Sequence, residues 1–185
     1  MHKIMASTAV ALSAAVLSIG LAGAAHADIY GNDDPNDIDH GVDIENVSVK
    51  HGNENVHVVS DHTNLRRAPG TGAGGAVFFD TDSEDWGPEF VLVGGYFEGT
   101  DYVLLETEGF GRDTWGDPVE NGDYIQKVNY RKDHVHNIVS RAALGDPEEV
   151  RIAIRVSGTR TDGTSNGLVD WLGKDRDFTL WVAAG

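Results

Sequence analysis

The chain has 185 residues, carries 30 acids against 14 bases for a formal charge of −16, and contains no cysteine. Such a charge argues against electrostatic binding to nucleic acid or to anionic lipid, because the phosphate contacts that drive it would be repulsive. Without cysteine there are no disulfides, no thiolate metal sites and no thiol catalysis.

Met1-His2-Lys3 is a short basic segment, residues 9–22 are small and apolar, and Ala25-His26-Ala27 has the A-x-A form of a signal-peptidase site. The three in this order predict export through the general secretory route, with cleavage after Ala27. The apolar run is too short to span a bilayer and no later run replaces it, so a secreted product with no membrane span is expected. Residues 28–40 hold few apolar groups and an acidic cluster of Asp33, Asp34, Asn36, Asp37 and Asp39. They read as a flexible acidic leader, with cation binding by the cluster as the alternative, to a single domain over residues 41–185, long enough to bury about two thirds of its unfolded surface.

Asp outnumbers Glu two to one, which favours turns over long helices. Val42 and Ile44 lie in one alternating phase and Val47, Val49 and His51 in the other, so a bulge is expected at Glu45-Asn46. Gly52-Asn53 predicts a tight hairpin into a strand over residues 55–60. The glycine-rich stretch 67–75 reads as a flexible loop. Residues 76–79, 90–93 and 102–105 are short continuous apolar runs, as central strands of a packed sandwich require. Asn121-Gly122 marks a turn, followed by strands over 123–130 and 133–139 and at most one helical turn over 139–144. The clearest strand is 150–157, where Val150, Ile152, Ile154 and Val156 alternate with Arg151, Ala153, Arg155 and Ser157. Its second face presents both arginines to solvent or to acidic neighbours. Asp162-Gly163 is a further turn, and 177–182 a last strand. About nine or ten strands with little helix predict an all-β fold, a two-sheet antiparallel β-sandwich of jelly-roll or immunoglobulin-like type.

Phe79-Asp80-Thr81-Asp82, Gly87-Pro88-Glu89-Phe90 and Gly99-Thr100-Asp101-Tyr102, with Pro-Glu-Glu-Val-Arg-Ile-Ala-Ile-Arg-Val over 147–156, Asp170-Trp171, Phe178 and Trp181-Val182, resemble a recurring pattern in uncharacterised secreted proteins of actinobacteria. The resemblance covers residues 41–182. It implies a small extracellular β-sandwich and brings no assigned reaction, so no catalytic residue comes with it.

Four constellations carry candidate chemistry. Asp80, Asp82, Glu84, Asp85 and Glu89 fall within ten residues, a density of carboxylates that suits calcium. The spacing departs from an EF-hand loop, since Asp85 stands where the glycine belongs. His134 and His136 share one face of a strand at a spacing used by transition-metal sites, with His51, His57 or His62 as a third ligand. Neighbouring carboxylates are expected to raise their pKa. Gly163-Thr164-Ser165-Asn166-Gly167 matches G-x-S-x-G, but no histidine follows it and a loop, not a strand and helix, surrounds it, so it is no nucleophile elbow. Trp86, Trp115 with Asp117, and Trp171 sit in Gly/Pro contexts, where exposed indoles offer flat apolar faces for sugar rings; the alternative is that they cap an open end of the core.

These features favour a secreted non-catalytic binding domain acting at the cell surface or envelope, with calcium support and a wall glycan, other extracellular glycan or surface protein as partner. A secreted metal-dependent hydrolase using the histidines, and a structural or adhesive envelope protein, are the alternatives.

Overall fold

Alternation of side chains fixes which face of each strand is buried, and the strands then stack in two layers. The computed structural model describes residues 29–37, 42–159 and 167–185. The expected export signal, part of the leader, the Asp162-Gly163 turn and residues 163–166 of the G-x-S-x-G match lie outside the described residues.

Two antiparallel sheets pack face to face, a β-sandwich as the alternation predicts. In the first, β1 (Ile29–Asp33), β2 (Ile44–His51), β3 (Asn55–His62), β9 (His134–Ser140) and β8 (Tyr124–Asn129) lie side by side in that order. In the second the order is β11 (Gly167–Trp171), β10 (Glu149–Thr159), β4 (Gly74–Asp80), β5 (Phe90–Gly95), β6 (Tyr102–Thr107) and β7 (Trp115–Pro118). The two-residue β12 (Val182–Ala183) pairs with the start of β10, and β11 with its end. No helix among the described residues is long and apolar enough to cross a membrane.

The core lies between the sheets. Val47, Val49, Val56, Val58, Val135 and Val139 meet Val77, Phe79, Leu92, Leu104, Ile152, Ile154 and Val156, all essentially inaccessible to solvent. Register pairs 151–157 with 74–80, so the even residues of β4 and the odd residues of β10 share the outer face of the second sheet.

The expected bulge is present: the β2–β3 register shifts between Ile44 and Asn46. The 52–54 hairpin is closed by the Gly52 amide donating to the Asn55 carbonyl. Residues 141–144 form a 3₁₀ turn capped by the Ser140 hydroxyl.

Four expectations are corrected. Part of the leader is structured, because Ile29–Asp33 pairs with β2, Tyr30 packs on the core and Asp33 accepts a hydrogen bond from the Asn46 side chain at 2.7 Å. The 67–75 stretch is not all loop, since Gly74 and Gly75 belong to β4; a Cβ on Gly75 would stand 1.9 Å from the buried Tyr96 hydroxyl. The last strand shrinks to Val182–Ala183. Upstream, Thr179 bonds both ways to Ile152, its amide to the carbonyl and its hydroxyl from the amide, so a side chain replaces one backbone partner and the ladder stops. The tally rises to twelve strands among the described residues because β1, β7 and β11 are added at the sheet edges.

Candidate functional site

The outer face of the second sheet carries an apolar centre between Arg155 and the Asp80–Arg151 pair, unlike the usual solvated face of a half-buried sheet. Ala76, Phe78, Val91 and Ala153 are buried there beneath Phe110, Trp115, Trp171 and Phe178. Trp171 stacks on Phe78 with centroids 5.9 Å apart, and Phe110 meets both rings at 4.9 and 5.7 Å. Trp86 comes from the β4–β5 loop and stands edge-on to Phe110 at 6.3 Å and to Phe178 at 6.4 Å. Its side chain remains 70% exposed.

The tryptophans therefore cover a sheet face and do not cap an end of the sandwich. Trp86 and Trp171 are brought together through Phe110. Trp115 lies on strand β7, not in a loop, and Asp117 is an exposed residue of the same strand. Trp115 borders a separate groove of about 160 Å³ on this face, lined also by Gly74, Gly94, Arg112 and Arg155. The Arg112 guanidinium is 5.8 Å from the Trp115 ring centre. Burial, then the Arg112 charge, lowers the pKa of Arg155. Phe110 carries no pattern in the sequence, and Phe178, seen there only within the resemblance and the expected last strand, gave no sign of a place on this face.

No three of the 80–89 carboxylates bring an oxygen within 4.8 Å of one another. Asp80 is fully buried and accepts from Arg151 Nε at 2.8 Å and Nη2 at 2.6 Å. That guanidinium also lies 4.7 Å from the ring centres of Phe178 and Trp181. Glu89 accepts from the Thr81 amide and hydroxyl, Asp82 from the Glu84 amide and Asp85 from the Trp86 amide. The acids thus shape the loop that presents Trp86. Burial raises the pKa of Asp80 and of Glu89, with Arg151 opposing it at Asp80 and Thr81 at Glu89.

Carboxylates do converge elsewhere. One oxygen each from Asp37, Asp43 and Asp170 lies within 4.8 Å of the others. Asp43 and Asp170 are buried, with Asp34 beside them. Asp43 accepts from the Asp37 amide at 3.2 Å, Asp170 from the Ile44 amide at 2.8 Å, and Asp34 from the Gly173 amide. Burial, against the Ile44 bond and with the like charges of Asp34, Asp37 and Asp43, pushes Asp170 up to about 6. Asp34 is raised mainly by burial. An all-oxygen set of this kind suits a hard cation such as calcium. Asp34 and Asp37 belong to the acidic cluster seen in the sequence; Asp43 and Asp170 were missed, although Asp170 interrupts the apolar row of Leu168 and Leu172.

On the first sheet, β9 points His134 and His136 outward, as their spacing predicts, but the two do not share a partner. His136 Nε2 is 3.1 Å from His57 Nδ1 on β3, whereas His134 Nδ1 is 3.9 Å from Asp61 Oδ1. His51 and His62 are core residues instead: His51 Nδ1 meets the Val182 carbonyl at 2.9 Å and His62 Nε2 meets the Ser60 hydroxyl at 2.7 Å. The upward pKa shift expected at His136 is corrected, and its partner His57 moves the same way. Burial, then Lys50, lowers His57; burial, then His57, Lys127 and His134, lowers His136. Beside the pair runs a polar groove of about 670 Å³ walled by Arg67, Lys127, Arg131 and Lys132.

Compared with protein-family models, with curated proteins and with solved structures, the chain matches none.

Proposed function

We propose that this chain is an exported, non-catalytic binding module that holds an extracellular glycan against the aromatic outer face of its second sheet. The observation that carries the reading is the Trp86 indole, largely exposed yet oriented by Phe110 and Phe178. A contiguous apolar patch at the surface marks a contact site more often than a lone exposed ring does. Flat rings accept the C–H faces of pyranoses, and the polar atoms around them take hydroxyls. The basic, apolar and A-x-A order of residues 1–27 supports export.

Calcium has a supporting part in this reading. Asp37, Asp43 and Asp170 supply the oxygen ligands, and the ion joins the segment before β2 to β11, the strand that carries Trp171.

The test is retention of the purified protein on insoluble wall polysaccharides, peptidoglycan and chitin among them, with and without calcium. The expected result is saturable retention on at least one glycan that Trp86→Ala abolishes. Equal retention of wild type and variant on every glycan, or none by either, overturns the reading.

A further inference from the structure

The histidines of the first sheet form a site of their own, on the opposite side of the sandwich from the aromatic face. Register pairs Val59 with His136 and His57 with Ile138, so His57 and His136 are diagonal neighbours across β3 and β9. Inward-facing Val56, Val58, Val135 and Val139 force both imidazoles outward. Their ring centres are 5.4 Å apart and the facing nitrogens 3.1 Å. In the metal-free chain the two facing nitrogens share one proton in a hydrogen bond, so both lone pairs are already directed into the space between the rings.

Two nitrogens that far apart subtend an angle of about 100° at a metal with bonds of about 2.0–2.1 Å, between the octahedral and tetrahedral values. Imidazole is a borderline ligand that selects zinc, copper or nickel over calcium. His134 follows on the same face of β9, two residues before His136. Lys50 and Lys127 flank the pair across the sheet and repel a cation locally, while the net charge of the whole chain draws one in.

We propose that His57 and His136 form a two-imidazole site for a divalent transition-metal ion of the zinc or copper(II) class. Solvent fills the remaining positions, and His134 joins by a change of rotamer.

The experiment is calorimetric titration of zinc into the chelator-stripped protein, in excess calcium so that the carboxylate cluster is occupied. One zinc per chain is expected, with Kd of roughly 1–100 μM. His57→Ala and His136→Ala each weaken it tenfold or more, His134→Ala weakens it less, and Asp37→Asn leaves it unchanged. Copper(II) bound to the wild type should show nitrogen hyperfine splitting in its electron paramagnetic resonance spectrum, a readout that needs no variant to fold. No saturable zinc binding below about 1 mM, binding equal to wild type in both alanine variants, or a copper spectrum with oxygen ligands alone overturns the proposal.

Discussion

Asp170 and Trp171 are adjacent in the chain and face opposite sides of β11. Asp170 turns inward, where its carboxylate accepts the Ile44 amide at 2.8 Å, and Trp171 turns outward onto Phe78. A strand cannot move one without the other, because successive side chains alternate on one backbone. An ion held by Asp170 would therefore fix the rim of the aromatic face.

Calcium should raise the melting temperature. A ligand that binds only the folded state adds about 2.7 kcal/mol at a hundredfold excess over its Kd. For a chain of this size that is a rise of about 5–10 °C. Asp170→Asn and Asp43→Asn should each remove most of the rise. A melt unmoved by millimolar calcium would dispose of the cluster as a cation site.

The pH dependence of the metal-free protein contains two opposed slopes. Asp170 is raised from 3.8 to about 6, so the folded chain keeps a proton that the unfolded chain has released. Its contribution is full below about pH 3.8 and is lost as pH rises through about 6. Burial lowers His62 from 6.5 to about 4, so its contribution is present above about pH 6.5 and lost as pH falls toward 4. Asp170→Asn removes the first slope alone. In chelator the variant should gain on wild type as pH rises from 4 to 7, by about 2–3 kcal/mol at the top, since two pKa units are worth about that much. Denaturant unfolding at several pH values measures it, and a difference constant with pH contradicts it.

Trp86 and Trp171 should separate binding from stability. Trp86→Ala removes an exposed ring and should change stability by less than about 0.5 kcal/mol while abolishing retention on glycan. Trp171→Ala strips a ring packed on Phe78 and should cost about 3 kcal/mol. Urea midpoints measured beside the retention assay distinguish the two. A large stability loss in Trp86→Ala would make that ring part of the packing and not a contact.

Arg151 answers the buried charge of Asp80. Arg151→Ala strands that carboxylate and should cost about 3–5 kcal/mol, whereas the double variant Asp80→Asn/Arg151→Met should recover most of the loss. Thermal unfolding of the three variants is sufficient. A double variant as unstable as the single one would show that the cation–π contacts with Phe178 and Trp181, and not the ion pair, carry the effect.

Period two made much of this legible. It places 150–157 on β10 with its arginines outward, puts the bulge at Glu45-Asn46, and turns His57 and His136 away from the core. The same parity marks Asp170, inward between Leu168 and Leu172, as a carboxylate in an apolar row. What it cannot give is the partner: Ile44 is 126 residues from Asp170, and only the packing of one sheet on the other brings them together. The 80–89 acids misled for the opposite reason. Their closeness in sequence suggested convergence, but along the turn the side chains point to different local amides, and no three of them bring their oxygens together.

The central pair of the second sheet has a consequence for kinetics. Arg151 and Asp80 meet across 71 residues, and β4 has no partner on that side until β10 arrives. A long loop must close before the contact rewards it, so acquisition of the native state is slow on the scale of small helical proteins. If the chain is exported unfolded, as proposed above, that delay would keep the segment pliable until β10 had passed.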